Sequence, residues 1–60
     1  MNDTIKALMR RDGLSEAEAT ERFNEVKDMI QNESNLTYDT IEEILAYELG
    51  LEMDYIWDFI

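Results

Sequence analysis

The chain has no cysteine, no histidine and no proline, and each absence removes a class of structure or chemistry. Without cysteine there is neither a disulfide staple nor a thiolate metal site. Without histidine, the commonest transition-metal ligand and the side chain that changes charge near neutral pH are both missing. Ser–His and Cys–His nucleophile pairs are excluded for the same reason. Lack of proline removes the strongest helix breaker, and the two glycines are left to punctuate the chain. Bases are scarce: five Lys and Arg stand against fifteen Asp and Glu, a net charge of −10. All five, Lys6, Arg10, Arg11, Arg22 and Lys27, lie in the first half, so residues 31–60 carry eight acids and no base. No apolar run approaches the roughly 20 residues of a membrane span. The opening Met1-Asn2-Asp3-Thr4 lacks the basic and apolar regions of a secretory signal. Together these predict a soluble, cytoplasmic protein that binds no membrane and needs no cofactor.

What is present argues for folding. Hydrophobic residues make up 45% of the sequence, too many for a disordered acidic tail. A domain of 60 residues nevertheless hides only about 60% of the surface its unfolded chain exposes, and its core rarely supplies more than roughly 3 to 5 kcal/mol unaided. With disulfides and cysteine- or histidine-built metal sites excluded, oligomerisation is the remaining staple.

Helix signals dominate, predicting a single all-α domain over residues 1–60: a small bundle of three helices plus a short C-terminal helix. Asn2 or Asp3 caps a first helix with Ile5, Leu8 and Met9 inward and Arg10 and Arg11 in the last turn. Asp12-Gly13 breaks it, and Leu14 folds back as the hydrophobic contact of the helix end. Ser15-Glu16-Ala17-Glu18 reads as a capping box, opening a second helix over Glu16 to Gln31 with Ala19, Phe23, Val26 and Ile30 as its stripe, Met29 widening it. Glu18 and Arg22 form an i,i+4 pair of favourable order. After a turn at residues 31–35, a third helix starts at Thr37 or Asp39, the latter paired with Glu42 as a second box; Ile41, Ile44, Leu45 and Glu48 or Leu49 line it, and Gly50 ends it. Glu52 or Asp54 opens the last helix, with Tyr55, Ile56, Phe59 and Ile60 on its inner side.

The last ten residues are unusually apolar. Leu51, Met53, Tyr55, Ile56, Trp57, Phe59 and Ile60 exceed what one face of a two-turn helix hides in so small a protomer. Either Trp57 and Phe59 close the end of the core, or Leu51, Met53, Tyr55, Trp57 and Phe59 form a two-fold interface in a homodimer, or the surface is kept for a foreign partner.

Chemistry is thin. The carboxylate pairs Glu21 with Glu25 and Asp54 with Asp58 share helix faces while Glu42 and Glu43 diverge; a raised pKa or a Mg²⁺ site is one reading of such pairs and a solvated face the other. Asn32-x-Ser34 lacks the glycine and bidentate Glu of a calcium loop, and the two Asn-x-Ser/Thr triplets there read as turn residues. Direct nucleic-acid binding is opposed by the charge, since a −10 chain is repelled by phosphates. The inverse is better motivated: rows of carboxylates imitate a phosphate ladder.

Arg11-Asp12-Gly13-Leu14-Ser15-Glu16-Ala17-Glu18-Ala19, followed by Glu42-Glu43-Ile44-Leu45, then Glu48-Leu49-Gly50-Leu51-Glu52 and Asp54-Tyr55, resembles the small uncharacterised acidic helical proteins of bacteriophages and prophages. The resemblance spans Ile5 to Phe59, rests mainly on helix punctuation and assigns no role to any residue. It implies a context in which such proteins act by stoichiometric binding to a host protein, inhibitors of anti-phage defence included. The expectation is therefore a non-enzymatic inhibitor of a host bacterial protein, contacting it through Glu42, Glu43 and Glu48 on the third helix and through Glu52, Asp54 and Asp58 around Tyr55 and Trp57. A structural or assembly accessory of the virion, or a DNA mimic, is the alternative.

Overall fold

The computed structural model describes residues 2–59, which form helices and turns with no strand among them. Helix α1 runs Asp3–Asp12; Asn2 is extended and its side-chain oxygen accepts the Ile5 amide at 2.8 Å. It stops at Gly13, whose φ of +67° is a left-handed conformation that costs glycine nothing. Helix α2 runs Glu16–Gln31 with both halves of the capping box in place. The Glu18 amide donates to the Ser15 hydroxyl at 3.2 Å, and the Ser15 amide donates to the Glu18 carboxylate at 3.1 Å. At 16 residues it is the longest element, and the molecule it organises measures 32 × 18 × 17 Å.

Helix α3, Tyr38–Ile44, is capped by Thr37, whose hydroxyl accepts the Thr40 amide at 3.2 Å. Asp39 is not a cap. It lies exposed in the first turn, where its charge still suits the helix dipole. The expected straight run to Gly50 is also corrected: from Leu45 to Leu49 the helix widens into a π turn. Gly50, at φ +65°, donates to the Ala46 carbonyl at 3.1 Å, and Leu51 donates to the Leu45 carbonyl at 3.2 Å, each bond one residue longer than in a Schellman helix end. The wider turn brings Leu45, Leu49 and Leu51 to the core while leaving Tyr47 exposed. A 3₁₀ helix, Met53–Asp58, ends the fold. Glu52 stands at its cap position in an extended conformation and contributes no side-chain bond.

The core takes Ile5 and Leu8 from α1, the Ala19, Phe23, Val26 and Ile30 stripe from α2, and Ile41, Leu45, Leu49 and Leu51 from the third segment; Ile56 and Phe59 close it. The Phe23 and Phe59 rings meet at a centroid distance of 4.7 Å. Met9 and Leu14 are partly buried against this core, whereas Met29 is exposed.

Burial takes two of the five residues expected at a dimer surface into the protomer's own core. Leu51 and Phe59 are buried inside the protomer, Met53 and Tyr55 pack against its core, and Trp57 alone is largely exposed, at 72%. The physical reason is geometric. In a 3₁₀ helix, residues three apart line one side, so Ile56 and Phe59 turn inward together and Trp57 is rotated out. Ile60, expected on the inner side, lies outside the described residues.

Candidate functional site

The scarce bases explain how the surface is wired. The third segment has no cation of its own to place at its C-terminal end, where orphan carbonyls carry partial negative charge. Two arginines from the first half supply them. Arg11 donates to the Gly50 carbonyl at 2.9 Å and to the Leu49 carbonyl, while Arg22 donates to the Glu48 carbonyl at 2.9 Å. Arg11 also grips Asp12 through two parallel bonds of 2.8 Å. That hydrogen-bonded pairing raises the Arg11 pKa further and holds the Asp12 carboxyl below its usual range. Arg22 is therefore committed to a backbone carbonyl and Glu18 to its capping box, which replaces the expected Glu18–Arg22 pair. The same box, through the Ser15 amide first, lowers the Glu18 pKa. Lys27 sits 5.9 Å from the Phe23 ring centre. Lys6 and Arg10 are exposed.

A reciprocal tie joins the chain ends. Asp58 accepts the Thr4 amide at 3.0 Å and the Thr4 hydroxyl at 2.7 Å, giving the α1 N-terminus a second capping group from the far end of the sequence. Thr4 is fully buried, and this carboxylate satisfies it. Asp58, expected to face a partner, thus serves the fold as well.

Five of the six acids expected to form the contact line open depressions, on two separate parts of the surface. Glu43 and Glu48 flank an open hollow with Ile44, Ala46 and Tyr47, and Tyr47 is the most exposed large hydrophobic side chain described, at 88%. Asp54 and Asp58 line a second depression together with Asp3, Arg10, Tyr55 and Trp57. Glu52 and Asp54 line an adjoining one with Ala7, Arg10, Arg11 and Leu51. Glu42 is exposed and lines neither place. The carboxylates of Glu21, Glu25 and Asp28 form a separate acidic row on the outer face of α2. Among the described residues no group of three or more potential ligands is placed to hold a metal ion, and no helix is long and apolar enough to cross a membrane.

Sequence reasoning passed over Asp3 and Arg10, which the packing of α1 against the terminal helix brings beside Trp57. It also passed over the long-range arginine caps. A signal for the caps existed: a segment with no base must borrow its C-terminal cation. Nothing in the local pattern marked Tyr47, whose exposure follows from the π turn. What the Trp57 side of the molecule offers chemically is an exposed indole among carboxylates, a surface that attracts cations and apolar groups.

No family model, no curated protein and no solved structure matches this chain.

Proposed function

We propose that the chain is a non-enzymatic binding protein of the phage type, which inhibits a host bacterial protein in the cytoplasm by occupying a basic patch on it. The observation that carries this reading is Trp57: a large aromatic ring left 72% exposed in a depression lined by Asp3, Asp54 and Asp58. Tryptophan is enriched at the centres of interfaces, where one such anchor supplies much of the binding energy. The −10 charge supports the choice of partner, since it favours fast encounter with a cationic surface such as that of a nucleic-acid-handling or defence enzyme. The resemblance to small phage proteins supplies the context, and stoichiometric binding fits a surface of rings and carboxylates.

The test is capture from bacterial lysate by tagged wild-type chain and by the Trp57→Ala variant, followed by assay of the captured enzyme. One abundant host protein, retained by wild type, lost by the variant and slowed in its activity by the purified chain, is the expected result. Capture of capsid or packaging proteins from infected cells would instead favour the assembly reading.

A further inference from the structure

The depression at Trp57 and the one beside Gly50 share Arg10, Asp54 and Tyr55, so they are two parts of one shallow groove between α1 and the terminal 3₁₀ helix. Ala7 and Tyr55 give it a short apolar strip, and Trp57 stands at one end. The Tyr47 hollow brings only two carboxylates to its ring, and the acidic row on α2 has no aromatic at all. Only this groove joins an exposed indole to three carboxylates.

We propose that the groove docks a basic, partly apolar segment of a partner protein, with an arginine side chain laid over the exposed face of Trp57 and held by Asp3 and Asp54. This rests on the binding-protein reading above and names the partner's chemistry. Charge complementarity carries the choice of occupant. Arg22 is committed to a carbonyl and Lys27 to the Phe23 ring, both outside the groove, while Arg11 lines its Gly50 end with its guanidinium held by Asp12 and two carbonyls. Arg10 reaches the groove but faces Asp3, Asp54 and Asp58 there, and the excess negative charge stays at the Trp57 end. Arginine suits this end better than lysine: its planar, weakly hydrated guanidinium stacks on indole and bonds a carboxylate from its edge at the same time. A second copy of the chain is a poorer occupant, because it brings another −10 charge and both Leu51 and Phe59 are already buried in the protomer.

Trp57 is the only tryptophan, so its fluorescence reports the site directly. The probe is an octa-arginine peptide, titrated into the full chain at low and at high salt, with calorimetry alongside. A saturable change in Trp57 emission is expected, weakening as salt rises. Asp54→Asn should weaken binding about fivefold more than Glu25→Gln, although each removes one negative charge, because only Asp54 adjoins the ring. Equal weakening by the two variants, calorimetric binding with silent fluorescence, or no binding at either salt overturns the proposal. Sedimentation showing a dimer that Trp57→Ala dissociates gives the groove to a second copy and overturns it too. The two readings fail separately. Peptide binding without any host protein captured from lysate removes the inhibitor and keeps the groove, whereas capture and inhibition of a host protein by a chain that binds no peptide keeps the inhibitor and removes the groove.

Discussion

Residues 2–31 and residues 32–59 are built by different rules. The first region is two regular α-helices, each capped by its own side chains, Asn2 for α1 and the Ser15–Glu18 box for α2. The second begins regularly at Thr37 but continues as a π turn and a 3₁₀ helix, and neither of these has a side-chain cap of its own. Its helix end is held by Arg11 and Arg22, both from the first region. In return, its Asp58 caps α1. The difference teaches that irregular helix geometry survives where tertiary contacts supply what local sequence does not. Isolated helices of five to seven residues, the lengths of the three pieces here, are unstable in water, so they exist because Leu45, Leu49, Ile56 and Phe59 are buried against α1 and α2.

The strongest way to break this comparison is to remove the shared core. Leu45 is fully buried, and Leu45→Ala should cost about 2 to 5 kcal/mol, comparable to the whole stability of so small a domain. Far-UV dichroism should then fall for the entire chain in one transition. Survival of α2 helicity with loss of the rest would show that the first region folds alone. Next comes the exchange between the chain ends. Asp58→Ala leaves the Thr4 amide and hydroxyl without their acceptor and should cost about 1 to 2 kcal/mol, read from the denaturant midpoint.

The local cap of the first region sets a reference for these long-range ties. Ser15→Ala should cost about 1 kcal/mol at neutral pH. The Glu18 half of that box carries a pH signature. Its carboxyl pKa is lowered in the folded chain, so its contribution is fully present above the ordinary glutamate range and is lost as pH falls through the lowered folded value. The stability gap between wild type and Glu18→Ala should therefore close on acidification, while most of the Ser15→Ala gap persists; a Glu18→Ala gap that is flat with pH would contradict the box. Arg11→Ala should be milder still, about 0.5 to 1 kcal/mol, because all but one of its bonds are solvent-exposed. Its sharper readout is hydrogen exchange: amides near Gly50 and Leu51 should exchange faster while those in α2 hold. The smallest effect is expected at Trp57, where Trp57→Ala should change stability by less than about 0.5 kcal/mol, since the ring is outside the core. A larger loss would mean that the ring supports the fold and is not free for a partner.

Much of this architecture is legible along the chain. The bounds of α2 follow from Ser15, Glu18 and the Ala19, Phe23, Val26, Ile30 stripe, and both glycines stand where the backbone turns left-handed. The last ten residues were harder. Counting apolar side chains overstated what needed covering, because the count cannot tell that Leu51 follows a π turn inward or that a 3₁₀ helix places Ile56 and Phe59 on one side. The acids were visible, but their grouping was not. Asp54 and Asp58 meet Asp3 and Arg10 only once the terminal helix lies along α1.

The sequence by itself determined the all-α class, the helix start at Ser15, the breaks at Gly13 and Gly50, and the one-sided placement of charge, and it narrowed the other starts to Asn2 or Asp3 and to Thr37 or Asp39. These depend on interactions within about one helical turn, between groups that the covalent chain already holds close. Tertiary structure decided the π turn, the exposure of Trp57, and the pairing of Arg11 with Gly50 and of Thr4 with Asp58, partners 39 and 54 positions apart. No local pattern specifies such pairs, because their closure entropy is offset only when the whole core has formed and brings both partners to the same place.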